Sequence, residues 1–599
     1  MSNPCSTARE CWPKNCPEES AGNRLIHSDA LLPGQHVNGD HPQTRSNNED
    51  FNATTFRWSD WSPRVTRLNA PREHGAKLIE PPLSLAGEMM SLNKRTIAQA
   101  GYNVQGRGLT QLASEAREQL LAEALRYTRS YRNATVPANP GHVILAGHQP
   151  EMFHPGVWLK NFALARLAKD HGAVAVNLQI DSDAMKTASL RVPSGSLDQP
   201  RLENVPFDRA AAEAPFEQRT ILDRACFDSF ADRASKHLQS LVPHPFLARF
   251  WPLAVARSRE TNHLGASLAQ ARHQCEAAWG LQTLEIPQSR VCDLPAMRWF
   301  MAHLLAHLPR FWETYNAALL EYRREHKVRS AAHPVPALDR MDDWLEAPLW
   351  IWTESDPRRR RLFVRHRKDE LLLSDREQFE AALPLVPENA AAAVERWAAL
   401  SANGIRLRTR ALITTMAARL LLGDLFVHGI GGAKYDQLTD RIIERFFGVA
   451  PPGYMVVSGT LRLPLSHSAA PTDDVPQLRQ RIRELYFHPE RFLKQPGPDR
   501  ITTDQNTAAL VAEKRRWLAT VETPDNAQMR CRAIRQVNEA LQPAVAALRE
   551  LWASEAAKRA DRQRAEALLI SREYAFTLFP EVDLTNFLLP ILENSGANG

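Results

Sequence analysis

The stretch from His142 to Pro193 constrains the fold of this chain more than any other. Val143-Ile144-Leu145-Ala146 is a short apolar run suited to a buried strand, and it stops at Gly147. After a loop, residues Val157 to Asp170 place Val157, Phe162, Ala165, Leu167 and Ala168 largely on one side of a helix. Lys160, Arg166 and Lys169 fall toward water, and Gly172 is the C-terminal stop. Ala173 to Ile180 is again strand-like. Strand, helix and strand in so few residues form a βαβ unit, which implies a parallel, doubly wound sheet.

In open α/β sheets ligands gather outside the carboxyl ends of the strands. Two segments occupy such ends: the loop from Gly147-His148-Gln149-Pro150 through Phe153-His154-Pro155-Gly156, and Asp181-Ser182-Asp183. Pro150 and Pro155 limit the freedom of the first loop, so His148 and Gln149 are expected to be held for a ligand, with His154 beside them. Asp181 and Asp183, two apart on an extended backbone, are expected to point the same way and to offer paired carboxylates to an amine or a sugar hydroxyl. No metal-ligand spacing of a strong kind joins these residues, and no metal is expected.

Downstream, Leu349-Trp350-Ile351-Trp352 and Leu362-Phe363-Val364 flank the run Arg358 to Arg361 and read as an antiparallel hairpin added to the main sheet, with the arginines as a solvated turn. Arg410 leads an apolar segment, Leu412 to Phe426, that reads as a helix; at its start an arginine can clamp a carboxylate. Next come His428-Gly429-Ile430-Gly431-Gly432-Ala433-Lys434-Tyr435, then Leu438, Ile442, Ile443 and Phe446 at helical spacing. Glycines ahead of a helix N-terminus let backbone amides approach a phosphate or carboxylate, with Lys434 supplying charge. From about Asp525 to Ser571, Ile534, Val537, Leu541, Val545 and Leu548 recur at three- and four-residue steps, which predicts a long helix or helical hairpin, kinked at Pro543, with a coiled-coil stripe and a homodimer formed through it.

With 599 residues, 44% of them hydrophobic and 24% charged, the chain is long enough for more than one packed unit. A net charge of +6 spread over 74 basic and 68 acidic residues gives no footprint for nucleic acid or an anionic membrane. No apolar run approaches the roughly 20 residues of a spanning helix, and no secretion signal opens the sequence. The seven cysteines, with Cys5, Cys11 and Cys16 in the polar N-terminal stretch, lack CxxC pairing and fit reduced thiols in a cytoplasmic protein. A Gly-x-Ser-x-Gly elbow, a Walker loop, a Gly-x-Gly-x-x-Gly fingerprint and a His-Glu-x-x-His pair are all absent from the sequence, against a serine hydrolase, a P-loop kinase, a dehydrogenase and a zinc peptidase.

Taken in order, Gly147-His148-Gln149, Asp181-Ser182-Asp183, the Trp350 to Val364 hairpin, Arg410-Ala411-Leu412 and Gly429-Ile430-Gly431-Gly432-Ala433-Lys434-Tyr435 resemble the landmarks of the cysteine-adding enzymes of bacillithiol biosynthesis, the BshC family. The resemblance covers about residues 141 to 590 and is thin between motifs; Ser182 and Gly432 stand where the family pattern carries His and Glu. It implies a Rossmann-like α/β core with helical insertions over residues 57–520, carrying an inserted hairpin at about 340–375. A C-terminal coiled-coil segment over 521–599 and a disordered tail over 1–56 complete the expected organisation. The activity implied is a ligase joining a cysteine-like amino acid to the amine of an amino-sugar conjugate, with ATP or another nucleotide to activate the acid. In that scheme His148, Gln149, Asp181 and Asp183 are catalytic. Gly147, His154, Lys160, Arg410, His428, Gly429, Gly431, Gly432, Lys434 and Tyr435 hold the small-molecule substrates. The Gly-His-Gln-Pro loop is also similar, over a shorter span, to the WbqC-like proteins of sugar pathways, and a binding protein that kept the crevice without the chemistry is a further reading.

Overall fold

The computed structural model describes residues 68–137, 140–465, 475–493 and 504–593. The expected N-terminal tail, with Cys5, Cys11 and Cys16, lies outside them. The chain is mixed α/β, organised around a six-stranded sheet. Its strands are β1 (Lys77–Glu80), β2 (Val143–His148), β3 (Val174–Gln179), β4 (Leu284–Pro287), β5 (Leu425–His428) and β6 (Tyr454–Gly459). Across the sheet they run β4-β3-β2-β5-β6-β1, all parallel except the antiparallel edge strand β1.

The chain winds outward from the middle through β2, β3 and β4, returns to the middle, and winds the other way through β5 and β6. The order therefore reverses between β2 and β5, and a crevice opens past the carboxyl ends of strands at such a point. Helix α1 (Leu109–Arg129) precedes β2, α3 (Leu308–Glu325) lies between β4 and β5 in sequence, and two other helices start at the crevice. After β2 comes α2 (Pro155–His171), with Pro155 at its first position and left-handed Gly172 at its end. After β5 comes α5 (Ile430–Ile442). The βαβ reading of residues 143–180 is matched by the parallel β2–β3 register, Val143 opposite Val174 through His148 opposite Gln179.

Three expectations are corrected. Helix α2 is not one-sided: Trp158, Leu159, Phe162, Ala163 and Leu164 are all buried, and so is Lys160. It is covered on its outer side by the C-terminal helix Glu581–Leu588 and the turn after it, which pack on it. The apolar run 412–426 is two elements, α4 (Ala411–Ala417, prolonged by a π turn to Leu422) and β5, split at Gly423. The Trp344–Thr353 and Arg360–His366 strands do pair antiparallel, but within a separate six-stranded antiparallel sheet: Ile405–Thr409 and the short Arg340–Met341 strand also pair with Trp344–Thr353, and Glu370–Ser374 and Glu380–Pro384 continue the sheet beyond Arg360–His366.

Toward the C-terminus, α6 (Ala527–Leu541) and α7 (Ala546–Leu569) are separated by a short turn at Pro543, where the sequence places a kink. Val537, Leu541, Val545, Leu548 and Trp552 pack against Leu478, Leu485, Phe492 and Val511 of the same chain. The stripe that suggests a homodimer is thus covered in cis. Among the described residues no helix is long and apolar enough to cross a membrane.

Candidate active site

Lys160 lies in the second turn of α2, and its stem runs under both strand ends. Its Nζ donates to Gly147 O at 2.8 Å, and a Cβ built on Gly429 would lie 3.9 Å from its Cδ. The side chain joins the β2 end to the β5 end, the two sides of the crevice. Burial, helped by the charge of Arg272, brings the ammonium down from 10.5 to about 7. His148 closes β2 with its ring edge-on to Phe153, 4.9 Å between centroids, and Nδ1 3.3 Å from Gln149 O. Burial and then Lys160 hold it well below the usual imidazole range, so it stands neutral at pH 7.

The Asp181-Ser182-Asp183 segment is a turn, not extended strand, and its carboxylates part company. Asp183 faces the β2 loop: Gln149 Nε2 donates to Oδ2 at 2.8 Å, and Arg359 Nη1 to Oδ1 at 2.6 Å. Asp181 turns away, accepting from Ser289 N at 2.8 Å and Ser289 Oγ at 2.5 Å. Burial, with the nearby Glu217 carboxylate, raises it to about 7. The expectation that both aspartates point the same way fails because alternation holds only on an extended backbone. Ser182 Oγ donates to Gln288 Oε1 at 2.7 Å and so braces the turn against the end of β4.

Arg359 belongs to the arginine run read as a solvated turn, yet it enters the site. Its guanidinium lies 5.0 Å from the Trp350 ring centroid, and that of Arg410 lies 4.1 Å from the same ring. Arg410 pairs with buried Glu346 at 2.7 Å through Nη1. Its Nε and Nη2 are buried with no hydrogen-bond partner among the described residues. A buried guanidinium with two idle donors is costly unless something anionic meets them.

On the β5 side, Gly429 caps α5, and Gly431 and Gly432 lie inside its first turn rather than ahead of it. His428 is buried, with Nε2 2.9 Å from Asp436 Oδ2. Asp436 also accepts from Thr415 Oγ1 at 2.6 Å and Arg419 Nη1 at 2.8 Å; burial opposes its charge, but the Arg419 guanidinium, His428 and these hydrogen bonds together hold the carboxylate well below its usual range, so it stays ionised. Tyr435 is half-buried, raised to about 12 by burial and by Asp436 and Asp183. Lys434 is exposed, and its backbone carbonyl accepts from Tyr322.

His154 caps α2, and burial together with Arg572 lowers it to about 3. Arg572 Nη2 lies 3.3 Å from both His154 Nε2 and Ser458 Oγ. The C-terminal segment is tied down beside it, with Phe576 N donating to Phe153 O at 2.8 Å. Sequence reasoning missed Arg359, Asp436 and Arg572. Asp436 could have been found from its spacing, eight residues past His428 on the helix that follows; Arg572 carries no local signal.

The crevice therefore unites Gly147, His148, Gln149, His154, Lys160, Asp183, His428 and Gly429, with Tyr435 near Asp183 and Arg410 reached through Trp350. Two helix N-termini add positive potential, which favours an anion. Among the described residues one His/Glu grouping has metal-ligand spacing, His273, Glu276 and Glu285. Arg272 bridges its two carboxylates, and Trp158, Asn161, Asn177 and Gln179 donate to them. That grouping is a satisfied internal ion network. No family model and no curated protein matches this chain.

Proposed function

We propose that the central sheet is a Rossmann-like core and that its crevice is the active site of a BshC-like carbon–nitrogen ligase, condensing the amine of an amino-sugar conjugate with a cysteine-like amino acid. The observation that carries this reading is Lys160, a buried ammonium brought to about 7 between two strand ends, with neutral His148 beside it and the Asp183 carboxylate tied to the same loop through Gln149. A carboxylate-bearing substrate has cations to meet in Lys160, Arg359 and the idle donors of Arg410. Asp183, fixed by Gln149 and Arg359, suits a substrate ammonium. Amide formation from a free acid is uphill in water, so an activated acyl donor, formed with ATP or another nucleotide, is part of the scheme.

The test is incubation of the protein with glucosaminyl-malate, L-cysteine and ATP, followed by mass spectrometry. A thiol conjugate that disappears in Asp183→Ala supports the reading, and its absence from the wild type opposes it. One observation favours binding without chemistry: Asp181, an expected catalytic carboxylate, is engaged by Ser289 away from the crevice. That alternative predicts a thermal shift with glucosaminyl-malate and no product.

A further inference from the structure

The ring of His428 is fixed by Asp436. The carboxylate is ionised and accepts from Nε2, so Nε2 carries the proton and the lone pair belongs to Nδ1, on the other side of Cε1. No hydrogen bond among the described residues engages Nδ1. Beside it lies Gly432, in the first turn of α5: a Cβ at that position would sit 2.6 Å from Nδ1 and 3.4 Å from Cε1. Any side chain there would crowd the nitrogen, and glycine avoids that contact. This gives a physical reason for glycine at the position where the resembled family has a glutamate. The ring is held on its other sides by Phe426, 4.4 Å between centroids, and Tyr454, 5.0 Å.

We propose that His428 is the proton acceptor of the crevice, presenting Nδ1 past Gly432, with Asp436 as its positioning residue. The inference rests on the ligase reading above. In that reaction the amine nitrogen bonds to the carbonyl carbon of an acyl phosphate or acyl adenylate. The bond from that carbon to the phosphate oxygen breaks, phosphate or AMP leaves with the electron pair, and the surplus proton on nitrogen passes to Nδ1. The imidazolium that forms is met by the Asp436 carboxylate, the arrangement that orients and stabilises a general base elsewhere. The charged groups around the ring are Asp436, Arg419 and Lys160; burial and the two cations keep the ring neutral in the resting protein, against the pull of Asp436.

Two measurements on the full chain test this. The first is independent of turnover: diethyl pyrocarbonate, which acylates an accessible unprotonated imidazole nitrogen, is applied at pH 6.5 and the histidines are mapped by mass spectrometry, with exposed His244 as the internal reference. His428 is expected to react in the folded wild type and to be slowed about tenfold or more relative to His244 in Gly432→Ala. A His428 that reacts only after unfolding in urea overturns the proposal, whatever the product assay gives. The second is the condensation assay. His428→Gln and Asp436→Asn should lower kcat by about 10²-fold or more with KM changed little, and Asp436→Asn should distort the pH–rate profile, which a merely structural role would not. An unchanged kcat in His428→Gln, in protein that makes product, also overturns it. No product in the wild type together with a reactive His428 sinks the ligase reading and leaves the accessible base standing.

Discussion

Replacing Lys160 by methionine should change the pH dependence of stability in a calculable way. The ammonium ionises at 10.5 in an unfolded chain and at about 7 here. Because its folded value is the lower one, the unfolded chain binds more protons between pH 7 and 10.5, and stability rises with pH across that window. The cost of burying the charge is complete below pH 7. At about 1.4 kcal/mol per tenfold change in proton affinity, the wild type regains about 2.5 kcal/mol from this one group between pH 6 and pH 9. Methionine fills a similar volume without the charge, so the variant should outlast the wild type most at pH 6, and that advantage should shrink by about 2.5 kcal/mol by pH 9. The lost hydrogen bond to Gly147 O, worth about 1 kcal/mol, lowers the variant at both pH values and leaves the trend intact. Urea unfolding followed by tryptophan fluorescence, with Trp158 buried in the same helix, reads the difference. A stability difference that stays constant from pH 6 to pH 9 refutes the claim that Lys160 is held as a strained cation.

Asp181 carries the opposite sign. Its folded value of about 7 lies above the unfolded 3.8, so the stability it contributes is complete below pH 3.8 and is lost as pH rises through 7. Asp181→Asn should therefore gain on the wild type between pH 4 and pH 8 in thermal melts, and a gain in the reverse direction sinks the assignment. At Gly156, where α2 starts, a Cβ would stand 2.0 Å from Gly459 O, so Gly156→Ala must push the helix off the end of β6. A loss of about 3 kcal/mol or more is expected in chemical denaturation, and near-wild-type stability contradicts the packing. Arg359→Ala leaves Asp183 with Gln149 as its one side-chain donor among the described residues, beside the Ala184 backbone N–H, and should weaken binding of an amine-bearing ligand by about tenfold, with melting temperature little changed; unaltered affinity by calorimetry removes Arg359 from the site.

The βαβ unit was legible because two apolar runs bracket a segment that ends in a glycine able to take the left-handed conformation. The run 412–426 was not, because a fully buried helix and a fully buried strand are both continuously apolar, and periodicity does not separate them. Gly423 is the only local mark of the division. Lys160 and Arg359 were read as solvated since charged side chains usually are; the β5 end at Gly429 beside buried Lys160 and the Asp183 carboxylate that meets half-buried Arg359 are both distant in sequence. The divergence of Asp181 and Asp183 follows from a turn stabilised by Asp181 N to Gln179 O, a local bond that the alternation rule does not contain. Gly431 and Gly432, expected ahead of a helix N-terminus, lie in the first turn of α5, and the segment before them is strand β5 rather than the end of a helix.

The central claim is that an anionic, amine-bearing substrate sits past the ends of β2 and β5. Isothermal titration of glucosaminyl-malate into the wild type, Lys160→Met and Arg410→Ala tests it most directly. Saturable binding in the wild type that weakens by about tenfold or more in both variants is the expected result. Equal affinity in all three proteins would contradict it.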